Sequence, residues 1–159
     1  MPVPGVYLNT KVRNTPDSMA SEHIKIVPQS EHEDAATPRV LLVEDYAPNL
    51  LVVATCLEKF GYAYDIASNG LEAVDFAKAN TYIACLMDVQ MHDMDGFEAT
   101  MAIRDFEAQE GKAHLPIIGV TAHALSGDRE RCLAVGMDDY VAKPFNPAAL
   151  EAKLAALRP

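Results

Sequence analysis

The chain has 159 residues, half of them hydrophobic and 23% charged, and its 13 basic against 23 acidic residues give a formal net charge of −10. That length suits one domain with a sizeable core. The acidic balance argues against nucleic acid or an anionic membrane as a direct partner of the surface and favours cations; no apolar run approaches a membrane span.

Residues 1–37 hold Pro2, Pro4, Pro16 and Pro28 among many polar residues and show no sustained period of 2 or 3.6. They read as a disordered tail or linker, and the folded domain is expected over 38–158. Two apolar islands, 6–8 and 24–27, are too short to bury much alone. No basic region followed by an apolar stretch marks a secretory signal. Cys56, Cys85 and Cys132 are odd in number and lack C-x-x-C spacing, as reduced thiols of a cytoplasmic protein would.

From Arg39 onward, strand and helix patterns alternate. A strand over 39–44 leads to a helix with Pro48 in its first turn, Leu50, Val53, Ala54, Leu57 and Phe60 at helical spacing, and Gly61 as its stop. The more polar 62–67 reads as an edge strand. Asn69 and Glu72 have capping-box spacing before a helix to about residue 80. The run 83–87 has no polar residue and ends in Asp88, as a strand buried on both faces would. Asp95 and Glu98 open a helix with Phe97, Met101, Ile103 and Phe106. Gly111 and Pro116 bracket the loop before a strand over 117–121. A helix starts at Ser126 or Gly127 and stops at Gly136; a short strand covers 139–142. The last helix begins near Pro147, with Leu150, Leu154 and Leu157 on one stripe. Five β-α units with right-handed crossovers make an α/β fold with a doubly wound parallel sheet and helices on both faces.

Sites in such folds form outside the carboxyl ends of the strands. Glu44, Asp45, Asp88, Thr121 and Lys143 all fall there, bringing three acids, a hydroxyl and an ammonium to one edge. That set suits a divalent cation and a phosphoryl group. Singly, each has a plainer reading: Asp88 as a turn former, Glu44 as a solvated strand end, Lys143 as a surface lysine, Tyr140 as core packing, His123 as a solvated imidazole. Asp93 and Asp95 are assigned to the loop and the helix start.

The segments 41–45, 87–91, 120–122 and 140–145, with Met94-Asp95-Gly96 and 136–140, together resemble the receiver domain of two-component response regulators. The resemblance covers residues 38–158. It implies a flavodoxin-like sheet of strand order 2-1-3-4-5. It implies that Asp88 accepts a phosphoryl group from a histidine kinase or a histidine-phosphotransfer protein. Mg²⁺ would be held by Asp45, Asp88 and the backbone carbonyl of Gln90, with Glu44 acting mostly through water. Lys143 would pair with the phosphoryl oxygens, and Thr121 would hydrogen-bond them while Tyr140 turns inward as its switch partner. Gln90 and His123 would tune dephosphorylation. The Lys143-Pro144 bond resembles one that is cis in the family. His92 departs from the pattern, standing where the family usually has proline, which puts the rigidity of that loop in question.

No DNA-binding or enzymatic segment is recognised after the last helix. Output is therefore expected through the face of the fourth helix, fifth strand and fifth helix, with phosphorylation-dependent homodimerisation as one form. Any activity of its own would be self-phosphorylation and self-dephosphorylation. A stand-alone regulator and the receiver of a hybrid kinase both fit. Two other classes use similar residues. One is a Mg²⁺-dependent phosphohydrolase with an aspartyl nucleophile, which would place that residue after the first strand, in an Asp-x-Asp pair. The other is a degenerate receiver that only docks partners.

Overall fold

The computed structural model describes residues 37–123, 127–144 and 146–157. The expected tail, apart from Thr37, and the helix start at Ser126 lie outside the described residues. Ten elements alternate: β1 (Arg39–Val43), α1 (Ala47–Phe60), β2 (Ala63–Ala67), α2 (Gly70–Ala79), β3 (Ala84–Asp88), α3 (Gly96–Glu110), β4 (Ile117–Thr121), α4 (Asp128–Ala134), β5 (Asp139–Ala142) and α5 (Pro147–Ala155). The strands form one parallel sheet in the order β2-β1-β3-β4-β5, as expected. Among the described residues, no helix is long and apolar enough to cross a membrane.

Strand alternation assigns each residue to a layer. Val40, Leu42, Ala84, Leu86, Ile118, Val120 and Val141 pack with Val53, Ala54 and Leu57 of α1 and Leu150 and Leu154 of α5. Leu41, Val43, Cys85, Met87 and Ile117 pack on the other side with α2, α3 and Cys132 of α4. Gly119 faces the same layer as Ile117, and a methyl group there would meet Met137 Sδ at 2.6 Å and Cys132 Sγ at 3.2 Å. The absence of a side chain lets α4 and the segment after it close on β4.

The helix signals act where they were read, with local differences. Gly61 ends α1 in the left-handed region, and Asn69 Oδ1 accepts from the Glu72 N–H at 2.9 Å. The return arm of that box lands one residue early, because Glu72 Oε2 accepts from the Ser68 N–H. Asp95 and Glu98 form a complete capping box on α3. The fourth helix starts at Asp128 behind Gly127 and ends at Ala134, before Gly136. In α3, Met101 is 46% exposed although its spacing placed it with the core. The buried stripe runs instead through Phe97, Thr100, Ile103 and Glu107. Two of these are polar, so an apolar pattern misses them. Thr100 satisfies its hydroxyl on the Gly96 carbonyl.

Glu107 is held by an ionic clasp at the amino edge of the sheet. Arg104 donates to both Glu107 oxygens at 2.9 Å, to Asp138 Oδ2 at 3.0 Å and to the Gly136 carbonyl at 2.9 Å. Asp138 Oδ2 also accepts from the Ile117 N–H, and Asp138 Oδ1 lies 2.7 Å from His114 Nε2. The clasp joins α3, the start of β4 and the approach to β5. Removing Arg104 leaves the buried Glu107 carboxylate without its counter-charge, with only the Leu115 N–H still donating to it at 2.7 Å, and breaking such pairs is strongly destabilising. Arg104→Ala is expected to cost about 2–4 kcal/mol, read as a lower urea midpoint with an unchanged slope.

Candidate functional site

One step beyond the paired residues Val43 and Met87 come Glu44 and Asp88, at the carboxyl edge of the central strands. Both are buried, at 5% and 3% exposure, while neighbouring Asp45 is exposed. Lys143 follows β5 with the alternation of Val141, on the α1 and α5 side. Its ammonium bridges the two buried acids, 3.1 Å from Asp88 Oδ1 and 3.3 Å from Glu44 Oε2. The Lys143-Pro144 peptide is cis.

Backbone donors fix the acids. The Gln90 N–H donates to Asp88 Oδ1 at 3.2 Å and the Tyr46 N–H to Glu44 Oε1 at 3.1 Å. Asp45 Oδ2 accepts from the His92 N–H at 3.4 Å, a bond that the proline usual in the resembled family could not make. The departure at His92 therefore adds a tie between the β3–α3 loop and Asp45. Asp93 in that loop takes a left-handed φ of 66°, which aspartate tolerates.

Glu44, Asp45 and Asp88 bring one carboxylate oxygen each within 4.8 Å of one another. Three ionised carboxylates facing one ammonium leave two negative charges in excess, and these hard oxygens match a small divalent cation. The electrostatics record that excess. Burial first, and then the charge of Asp88, push the Glu44 carboxyl from 4.5 up to about 7. Burial works against the Lys143 charge, but Asp88 and Glu44 outweigh it and raise its pKa. A cleft of about 550 Å³ opens beside the cluster, with Asp45, Gln90, His92, Phe97, Asp128 and Arg131 on its walls.

Thr121 and Tyr140 lie in the other layer. Tyr140 is level with Gly119, so both residues of the expected switch pair face α3 and α4. Thr121 is buried and donates its hydroxyl proton to Asp128 Oδ2 at 2.6 Å. The His123 N–H donates to the same Thr121 oxygen at 3.0 Å, with the His123 side chain exposed. Tyr140 is half-buried against the core, with the Arg129 guanidinium 5.8 Å from its ring. The structure thus brings Glu44, Asp45, Asp88 and Lys143 together and sets Thr121 and Tyr140 behind them.

Two residues of this site escaped the sequence reading. Asp128 was given no role there. Gly96 was read as motif style, although a glycine in the first turn of a helix signals a close approach. A Cβ there would lie 2.3 Å from the Asp88 carbonyl oxygen and 2.9 Å from Val89 Cα, both backbone atoms. Gly96→Ala is expected to destabilise the protein by about 1–3 kcal/mol, the usual range for overpacking, seen as a lower unfolding temperature, because α3 must lift off the end of β3.

A family model for the response regulator receiver domain matches residues 40–155. The chain belongs to this family. Its flavodoxin-like sheet is the fold of solved receivers. Hybrid signal transduction histidine kinase I of Dictyostelium discoideum is 48% identical over 117 residues, covering 70% of this chain and 7% of that protein. Sensor protein GacS of Pseudomonas syringae pv. syringae is 43% identical over 113 residues, covering 71% of this chain and 12% of that protein. The receiver thus spans about a tenth or less of the length of these curated relatives. Among solved structures, the receiver domain of sensor histidine kinase PA1611 from Pseudomonas aeruginosa PAO1 is 42% identical, with a TM-score of 0.69 over 77% of this chain and 98% of that one. That structure has a magnesium ion coordinated in its active site cleft. The Saccharomyces cerevisiae receiver of Ssk1, crystallised with the phosphotransfer protein Ypd1, is 35% identical, with a TM-score of 0.70 over 75% of this chain and 87% of that one.

Proposed function

We propose that this receiver takes a phosphoryl group onto Asp88 from a phosphohistidine of a histidine kinase or histidine-phosphotransfer protein. The observation that carries the reading is the convergence of Glu44, Asp45 and Asp88 on one point, with the Lys143 ammonium 3.1 Å from the Asp88 carboxylate. An Asp88 oxygen attacks phosphorus and forms the acyl phosphate, while the bond from phosphorus to the donor imidazole breaks. The imidazole nitrogen keeps the electron pair and takes up a proton. Phosphoryl transfer needs positioning and charge stabilisation more than covalent help from the protein. Lys143 supplies a point charge for the phosphoryl oxygens, and the backbone N–H of Gln90 orients Asp88.

Asp45, Asp88 and the Gln90 carbonyl are the proposed ligands of Mg²⁺, with Glu44 acting through water. When bound, the ion neutralises charge on the transferring group. Gln90 and His123 flank the site and are the proposed tuners of phosphoryl lifetime. The result is a shifted equilibrium at Thr121 and Tyr140, read by a downstream protein on the face of α4, β5 and α5, or by a second copy. The proposed setting is cytoplasmic, and the proposed domain spans residues 38–158.

The test is transfer from a phosphorylated histidine-phosphotransfer protein to this chain, with Mg²⁺ or with a chelator. Labelling only with Mg²⁺ is expected. Equal labelling in chelator would remove the metal from the reading, and steady turnover of a generic phosphomonoester would replace the receiver role by hydrolysis.

A further inference from the structure

We propose that Asp128 is a positioning residue that holds the Thr121 hydroxyl away from Asp88, and so sets how readily the receiver switches. The inference rests on the proposed phosphorylation of Asp88.

A hydroxyl has one proton to donate. In this structure the Thr121 proton goes to Asp128 Oδ2 at 2.6 Å, and the oxygen already accepts from the His123 N–H. Thr121 and Asp128 are 1% and 8% exposed, so water does not compete well for the bond. To donate to a phosphoryl oxygen on Asp88, Thr121 must release Asp128. An ionised Asp128 is an acceptor only, so it cannot bond the phosphoryl group itself. It would be left buried with its hydrogen bond gone, and that is costly for a charged group. The incoming phosphoryl charge also repels it across the cleft that Asp128 shares with Asp45 and Gln90.

The relief is movement of α4, which is lightly anchored. Asp128 and Cys132 are the only buried residues of its seven. Its arginines add two cation-π contacts, Arg129 5.8 Å from the Tyr140 ring and Arg131 4.4 Å from the Phe97 ring, while the Arg131–Asp128 pair at 4.0 Å lies within the helix itself. Release of Asp128 therefore frees the amino end of α4 and disturbs the contact on Tyr140. One hydrogen bond links the site to the output face, and it opposes activation.

The test is titration of the unphosphorylated protein with beryllofluoride, a phosphoryl mimic, in the presence of Mg²⁺. Asp128→Ala is expected to bind it about tenfold more tightly, the lower end for losing a hydrogen bond to a charged group. Asp128→Asn keeps an oxygen acceptor but loses the charge, so its affinity should fall between those of the unaltered protein and Asp128→Ala. In Thr121→Ala, adding Asp128→Ala should bring no gain. Equal or weaker binding by Asp128→Ala, or a gain that persists without the Thr121 hydroxyl, overturns the inference. In the unaltered protein, the amides of residues 128–134 should exchange faster once beryllofluoride is bound; unchanged protection also overturns it. Failure of the unaltered protein to bind beryllofluoride with Mg²⁺ would instead sink the assignment of Asp88, and this inference with it.

Discussion

Asp88→Asn is expected to lose phosphoryl incorporation completely while becoming more stable in the absence of metal. The loss follows because the amide is no longer the nucleophilic carboxylate that forms the acyl phosphate. The gain follows from the crowding of acids. Asp88 and Glu44 are buried around one ammonium, and the Asp88 charge is one of the causes that raise the Glu44 carboxyl to about 7. Removing that charge while keeping the shape relieves the repulsion, with a gain of about 1–2 kcal/mol at neutral pH, the usual scale for relaxing a strained functional site. Phosphotransfer assays and urea unfolding of the same variant check both halves. Loss of labelling with a lower midpoint would mean that Asp88 is structural, and retained labelling would move the acceptor elsewhere.

Metal binding is expected to weaken steeply below pH 7, with Glu44 as the cause. Its folded-state value of about 7 lies above the ordinary 4.5, chiefly through burial. Between those values the folded protein holds a proton that the unfolded chain has lost. Stability of the metal-free protein therefore falls as pH rises from about 4.5 to about 7. Mg²⁺ needs the charged carboxylate, so binding must displace that proton, and affinity drops by up to about tenfold per pH unit below 7. Titrations with Mg²⁺ at pH 6, 7 and 8 should show this slope. Glu44→Gln should flatten it and raise metal-free stability near neutral pH. A flat profile in the unaltered protein would place the Glu44 proton outside the metal equilibrium.

The sheet was legible because its central strands are apolar runs closed by polar or turn residues, with the more polar 63–67 at its edge. Asn69, Asp95, Gly61 and Pro147 mark helix ends by chemistry that acts within four residues. The convergence of Glu44, Asp45, Asp88 and Lys143 was legible for a related reason: parallel strands put all their carboxyl ends on one edge. What escaped depends on contacts that no period within a single element records. Glu107 is a buried acid held by Arg104 one turn away and by the Leu115 N–H beyond the helix, so no apolar pattern marks it. Gly96 is required by the Asp88 carbonyl of a different element. Asp128 gains its meaning from a hydroxyl on the neighbouring strand. The layer that holds Thr121 became visible only once the register was known, because one residue of slip would have turned it toward α5.

The central claim is that Asp88 becomes an acyl phosphate. Its most direct test is chemical: phosphorylate the protein with Mg²⁺ present, reduce the acyl phosphate with borohydride, and locate the altered residue by mass spectrometry. The account predicts reduction of the side chain at position 88 to its alcohol, dependent on both donor and Mg²⁺. Modification at Asp45 or Glu44 with position 88 unchanged would contradict it.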